Sequence, residues 1–449
     1  MPGVLPEGEL VPADGILPES ALAGLGTRPF GIYVHVPFCA TRCGYCDFNT
    51  YTAGELGGGP AEPSVSLQTY PDFAVAEIEF ARKVLGATDV PVSTVFFGGG
   101  TPTLLPPAAI GGILRAIDAE FGLRPGAEVT VEANPESVDA ASLAELRAQG
   151  ITRVSFGMQS AVPGVLATLD RVHRPGRPAR CAAWARAAGF EHVSLDLIYG
   201  TPGESDADWR CSLDAAVAAQ PDHVSAYALT VEPGTRLAAR VRRGELATPD
   251  DDVLADRYLV ADEVLTAAGL GWYEISNWAA GNGSEPSRCA HNMGYWTDGD
   301  WWGAGPGAHS HVGGTRWWNV RHPAAYAARI AAGHSPGQAR EILAEPERQL
   351  ERVMLGIRLA QGYPVSLLGP AGPRRAAEVV AEGLASPAAY ARGRIVLTRR
   401  GRLLADAVTR QLTDLSHGSI APCVRRSSSV RRRVRRDSPP PRRAADTAA

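Results

Sequence analysis

A chain of 449 residues that is 45% apolar and 20% charged can bury one large core and a smaller one, which excludes a disordered polymer and a peptide hormone. Its 44 basic residues against 48 acidic ones leave a net charge of −4, a poor match for a general nucleic-acid binder. Lys83 is the only lysine and lies in an ordinary helical stretch, so Schiff-base chemistry and a phosphate-cradling GK[ST] loop have no residue to carry them.

In chain order, residues 1–29 are rich in Gly, Pro, Ala and Glu without periodicity and read as a disordered leader. They lack a cationic start followed by an apolar block. No window reaches the roughly eighteen apolar residues of a membrane span, so the expected location is cytoplasmic. From Ile32 onward, apolar strand-like runs alternate with amphipathic helical stretches, the pattern of an α/β fold with a parallel sheet. Strands are predicted at Ile32–Val36, Thr94–Phe97, Glu128–Glu132, Arg153–Phe156, His192–Leu197 and His223–Ala228. Helices are predicted near Pro71–Leu85, Ala108–Phe121, Ala140–Gln149, Arg177–Ala188, Asp206–Ala219 and Asp252–Ala268. Six such units over residues 30–278 predict a partial (β/α)6 TIM-like barrel, with its chemistry at the carboxyl ends of the strands. Residues 279–339, dense in Trp, Gly, His and Asn, show little periodicity and read as irregular. Such a long irregular stretch usually has a functional reason. Residues 340–416 return to helical patterning around a short strand at Arg394–Leu397, a small winged-helix-like C-terminal domain. Residues 417–449 carry nine arginines and two aspartates and read as a solvated, disordered basic tail. A tail-borne tether to RNA or an anionic membrane surface is the lesser alternative, with peripheral membrane contact as its form.

Seven cysteines in a long chain without a secretory start point to metal or redox chemistry before disulfides. Cys39, Cys43 and Cys46 form C-x3-C-x2-C directly after the first predicted strand. Three thiolates on one loop can each hold one iron of a cubane cluster, leaving the fourth iron open to an exogenous ligand. Structural zinc is the alternative; it wants four ligands, with His35 as a conceivable fourth.

This motif, with Tyr45 just before its last cysteine, resembles the signature of the radical SAM superfamily, in which a [4Fe-4S] cluster binds S-adenosyl-L-methionine through its open iron. The later strand ends agree with that resemblance. The second runs into Gly98-Gly99-Gly100-Thr101, where absent Cβ atoms let backbone approach a ligand. Glu132, Gln159 and Asp196 follow apolar strands, where their burial would be costly without a polar partner. By similarity to the coproporphyrinogen III oxidase-like branch, the resemblance implies Cys39, Cys43 and Cys46 as cluster ligands. It implies Tyr33, Tyr45, Gly99, Gly100, Thr101, Glu132, Gln159, Arg171 and Asp196 as S-adenosyl-L-methionine contacts.

Within that branch, oxidases resemble C-x3-C-x2-C-x-C, whereas this chain has Phe48 at the fourth cysteine position. Cys46-Asp47-Phe48 and the string His291-Asn292-Met293-Gly294-Tyr295-Trp296 resemble the HemW family of haem chaperones. That likeness implies a haem-binding protein that hands haem to acceptors such as respiratory enzymes, with His291 as haem ligand and Cys289 as another candidate. Physically, imidazole offers axial ligation and the neighbouring aromatics offer flat apolar surface. The other implied activity is oxygen-independent coproporphyrinogen III oxidation, so whether the chain is an enzyme stays open at this point. The resemblance runs from about Pro29 to Leu415. Two departures are a Gly-rich insertion, Gly54–Pro63, after the cysteine loop, and the proline inside Gly303-Ala-Gly-Pro-Gly-Ala-His309-Ser310.

Overall fold

A computed structural model describes residues 8–413 except 53, 57–64 and 284–286; the basic tail and most of the Gly-rich insertion lie outside the described residues. Six parallel strands form the barrel: β2 (Phe30–Val36), β3 (Val92–Gly99), β4 (Leu123–Ala133), β5 (Arg153–Gln159), β6 (His192–Tyr199) and β7 (His223–Ala228), after a short β1 (Glu9–Leu10). Each contains its predicted core and extends it by up to five residues at an end, because pairing to a neighbour recruits flanking polar residues that have no strand pattern of their own. Helices Tyr70–Leu85, Pro107–Phe121, Ala140–Ala148, Arg177–Ala187 and Asp206–Ala218 return the chain between them. Their apolar faces and the strands' outward side chains form one continuous core, with Ile78, Ile113, Leu143, Val95 and Leu195 fully buried.

The barrel does not close. At one edge, a hairpin of β8 (Leu270–Glu274) and β9 (Asn277–Ala279) joins through β9, which runs antiparallel to β7. At the other, β10 (Asp300–Ala304) lies parallel to β2, and β11 (His309–Val312), β12 (Thr315–Asn319) and β13 (Gly337–Ile342) follow antiparallel, ending on β1. Both edges of the six-stranded set are therefore paired, and the sheet's own edges move out to the short strands β1 and β8, which offer little template for aggregation.

Two expectations are corrected here. The segment read as irregular is largely regular: it holds β10–β13 and the helix Ala290–Trp296, with Trp302 packed edge-on against Trp317 at 4.9 Å. Its glycines sit in tight turns that interrupt the alternation. The leader is ordered from residue 8: β1 pairs with β13, Leu17, Ala21 and Leu25 are buried, and Arg28 binds the Asp300 carboxylate at 2.9 Å.

A second, smaller core gathers Val353, Ile357, Ile395, Val408 and Leu412 from the helices Glu345–Gly356 and Ala405–Thr413 and the two-stranded pair β14 (Tyr363–Pro364) and β15 (Arg394–Ile395). It docks on the barrel through Asp262, which meets Arg399 at 2.6 Å and Arg402 at 2.9 Å. Arg402 also lies 4.0 Å over the Trp272 ring. Among the described residues no helix is long and apolar enough to cross a membrane.

Candidate cluster and cofactor cavity

β2 ends at Val36, and the chain then makes a loop whose two sides clasp: the Tyr51 N–H donates to the Pro37 carbonyl at 2.7 Å, and the Cys39 N–H donates to the Tyr51 carbonyl at 3.0 Å. Proline suits that position because only its carbonyl is needed. The Gly44 N–H donates to the Leu169 carbonyl at 3.0 Å, tying the loop's middle to the segment after β5. Cys39, Cys43 and Cys46 are free thiols on this loop, and all three line a cavity of about 710 Å³ at the carboxyl ends of the barrel strands.

Every residue implied as an S-adenosyl-L-methionine contact lines the same cavity: Tyr33, Tyr45, Gly99, Gly100, Thr101, Glu132, Gln159, Arg171 and Asp196. Gly99 has φ +104°, and a Cβ there would stand 2.6 Å from the His35 ring; one on Gly100 would stand 2.4 Å from the Phe38 carbonyl oxygen. These glycines are required by the close packing of strand end on cysteine loop. Gln159 has φ +62° beside a register shift between β5 and β6, a strained position of the kind that clusters at functional sites.

Two carboxyl groups face each other across the cavity. The Gly99 N–H donates to Glu132 Oε2 at 3.1 Å, and Ser155 Oγ donates to Asp196 Oδ2 at 2.9 Å. Burial first, then the charge of Asp196, pushes the Glu132 carboxyl up to about 8. Burial raises Asp196 too, against the pull of Ser225, Ser155 and Arg171. Such a pair is suited to a cation, which would relieve both the desolvation and the mutual repulsion. The folded chain keeps the Glu132 proton up to about 8, whereas an ordinary carboxyl releases it near 4.5. Stability therefore falls as pH rises across that window, because the folded state binds the extra proton. The Glu132→Gln variant is expected to lessen that slope in denaturation midpoints measured between pH 5 and pH 8, with Glu77 and Glu274, each pushed up to about 7 by burial, supplying what remains. An unchanged slope would show that Glu132 is not the group responsible.

Beside the thiols, Arg171 Nη1 lies 3.6 Å from Cys43 Sγ, and its Nη2 donates to the Gly157 carbonyl at 2.8 Å. Its buried Nε has no hydrogen-bond partner among the described residues, nor has the buried Thr130 hydroxyl on the same cavity wall. Burial raises the Cys39 thiol and pushes Cys46 up to about 12, so these thiols ionise on binding a metal and not before.

The donor set fits a cubane better than zinc. Among the described residues no three His, Cys, Asp or Glu side chains converge on one point, as a single ion requires, whereas a cubane takes one thiolate at each of three separate irons. His35 is not a fourth ligand in this arrangement: its Nδ1 meets Tyr33 Oη at 3.0 Å and its Nε2 meets the Asn49 carbonyl at 2.9 Å. Orphaned polar atoms, a glycine-lined wall and paired carboxyls match the polar, cationic S-adenosyl-L-methionine.

His291 also lines this cavity, but both its ring nitrogens are engaged, Nδ1 with Thr94 Oγ1 at 2.8 Å and Nε2 with Tyr295 Oη at 2.7 Å. Burial pushes it down to about 4, and its ring stacks on Phe96 at 5.2 Å. An iron could reach it only by displacing Thr94 or Tyr295. Cys289 is buried with its Sγ 3.6 Å from Glu128 Oε1, and burial raises its thiol. Sequence reasoning missed the polar barrel lining of Thr130, Ser155, Ser194, His223 and Ser225, whose signal was a polar residue at alternate positions of otherwise apolar strands.

The model of the radical SAM superfamily matches residues 33–216. The chain is 55% identical over 392 residues to the protein named heme chaperone HemW of Mycobacterium tuberculosis, an alignment covering 87% of this chain and 96% of that one. It is 35% identical over 362 residues to the protein of the same name from Synechocystis, covering 80% and 85%. In fold it is similar to the coproporphyrinogen III oxidase (HemN) of Escherichia coli, with a TM-score of 0.74 at 21% identity over 89% of this chain and 94% of that one. On this likeness along most of its length, the chain belongs to the HemW family of the radical SAM superfamily.

Proposed function

We propose that this chain is a cytoplasmic haem chaperone, which takes up haem and passes it to acceptors such as respiratory haem proteins. The carrying observation is the convergence of Cys39, Cys43 and Cys46 with the nine cofactor-contact residues on one cavity, in a chain whose relatives are named heme chaperones. Cys39, Cys43 and Cys46 would hold a [4Fe-4S] cluster. Glu132 and Asp196 would face the cationic end of S-adenosyl-L-methionine, and the Gly99–Thr101 turn and Arg171 would hold it beside the loop. The cluster, when bound, supplies an electron-donating iron with an open position; the chain's own part is to orient the cofactor and keep water from it.

Phe48, 57% exposed, occupies the position where the oxidases resemble a fourth cysteine, and this sets the chaperone reading above coproporphyrinogen III oxidation. Protein reconstituted without oxygen is expected to shift the Soret band of added haem and to deliver that haem to an apo-haem acceptor. With coproporphyrinogen III, S-adenosyl-L-methionine and reductant it is expected to form no decarboxylated product. Product formation without haem uptake would sink the chaperone reading.

A further inference from the structure

Several histidines near the barrel and β10–β13 use both ring nitrogens. His35 and His291 do so as described, His223 bonds Ser194 Oγ and Tyr273 Oη at 2.8 Å each, and His311 bonds the Gly299 carbonyl at 2.8 Å and the Gly314 N–H at 3.1 Å. A neutral imidazole has one in-plane lone pair, and in each of these rings a hydrogen bond consumes it. His309 differs. It is exposed at the start of β11, its ring is stacked on Trp318 with centroids 5.9 Å apart, and neither ring nitrogen has a hydrogen-bond partner among the described residues.

His309 lines a second cavity, of about 410 Å³, which shares the Tyr33 and Tyr295 side chains with the first. Its other walls include Phe48 from the cysteine loop and Trp301 from β10, with Arg321 and Asp47 at its polar side. The cavity is held together from within. Asn49 Nδ2 donates to the Pro306 carbonyl at 2.9 Å and the Arg321 carbonyl at 2.8 Å, fastening the cysteine loop to the turn before β11 and to the segment after β12.

The geometry points to this second cavity as the seat of the haem, with the His309 imidazole on the iron, the macrocycle against Phe48 and Trp301, and a propionate directed to Arg321. This rests on the haem-chaperone reading and specifies where the cargo sits. Four observations converge on it. The size falls within the range of small-molecule pockets, and the exposed Phe48 is an apolar surface whose cover a flat macrocycle would supply. Arg321 complements an anionic propionate. The ring reaches solvent, yet the side chains crowded about it desolvate it and, with the charge of Arg321, hold His309 below the ordinary imidazole range, so it is neutral and competent to ligate at neutral pH.

The test is a ferric haem titration of the full chain, wild type against His309→Ala. The variant is expected to bind about tenfold or more weakly and to lose the wild-type Soret maximum, as loss of an axial ligand requires, and added imidazole is expected to restore nitrogen ligation in that spectrum. If the variant folds poorly, haem on the wild type is expected to shield His309 from carbethoxylation, read by mass spectrometry. Haem binding by His309→Ala with unchanged spectrum and affinity, or carbethoxylation of His309 undiminished by haem, overturns the assignment and leaves the chaperone reading standing. Absence of haem binding by the wild type overturns both.

Discussion

Alanine at any one of Cys39, Cys43 or Cys46 is expected to lower iron and labile-sulfide uptake in oxygen-free reconstitution by about tenfold or more, since each thiolate holds a separate iron. The brown absorbance should go with it, while circular dichroism stays near wild type. The loop survives the loss because its clasp is made of backbone, between Pro37 and Tyr51 and between Gly44 and Leu169, and uses none of the three sulfurs. Cys211, an exposed thiol in the helix Asp206–Ala218, is the control. Equal iron content in all four variants, or stoichiometric zinc without sulfide, would remove the cluster assignment. Reconstitution should also acidify an unbuffered solution, because Cys46 is pushed up to about 12 and the metal displaces its proton into solvent.

Glu128→Ala is expected to cost about 3–5 kcal/mol of folding stability, the cost typical of breaking a buried ion pair from one side. Arg153, 1% exposed, meets Glu128 Oε2 through Nε at 2.9 Å, and its Nη2 donates to the carbonyls of Ser287 and Arg288 at 3.1 and 2.7 Å. Removing the carboxylate strands a buried guanidinium. It also frees the start of the helix Ala290–Trp296, whose Ala290 and His291 N–H groups donate to the same carboxylate at 3.1 and 3.0 Å. Urea denaturation reads the first effect. Amide exchange across residues 289–296, expected to speed up in the variant, reads the second. A midpoint within error of wild type would show that Arg153 is hydrated and the pair dispensable.

The barrel and its cavity were legible because their signals are local. Strand segments such as Val95–Phe97 are apolar runs, the three thiols sit within eight residues, and Gly98–Gly100 follow that run directly. Burial of Glu132 and Asp196 could be anticipated from the apolar residues around them. What was not legible depends on partners far along the chain. β1 is two residues long and exists because residues 9 and 10 meet residues 339 and 340. The Trp-rich stretch hid four strands because glycine turns break its alternation and because β10 owes its place to pairing with β2, some 270 residues earlier. His291 stood out by its motif. Only the fold shows that Thr94 and Tyr295 engage its two nitrogens, and that His309, eighteen positions later, keeps both of its own open.

The single lysine acquires a use from where the fold puts it. Lys83 is exposed near the C-terminal end of the helix Tyr70–Leu85, which runs back from the mouth, where β2 delivers the cysteines, toward the start of β3. The ammonium thus lies at the floor of the barrel. Among side-chain amines, Lys83 is the one address for ester coupling to a sensor chip, so with the α-amine blocked beforehand, tethering there turns the cavity openings outward to passing cargo.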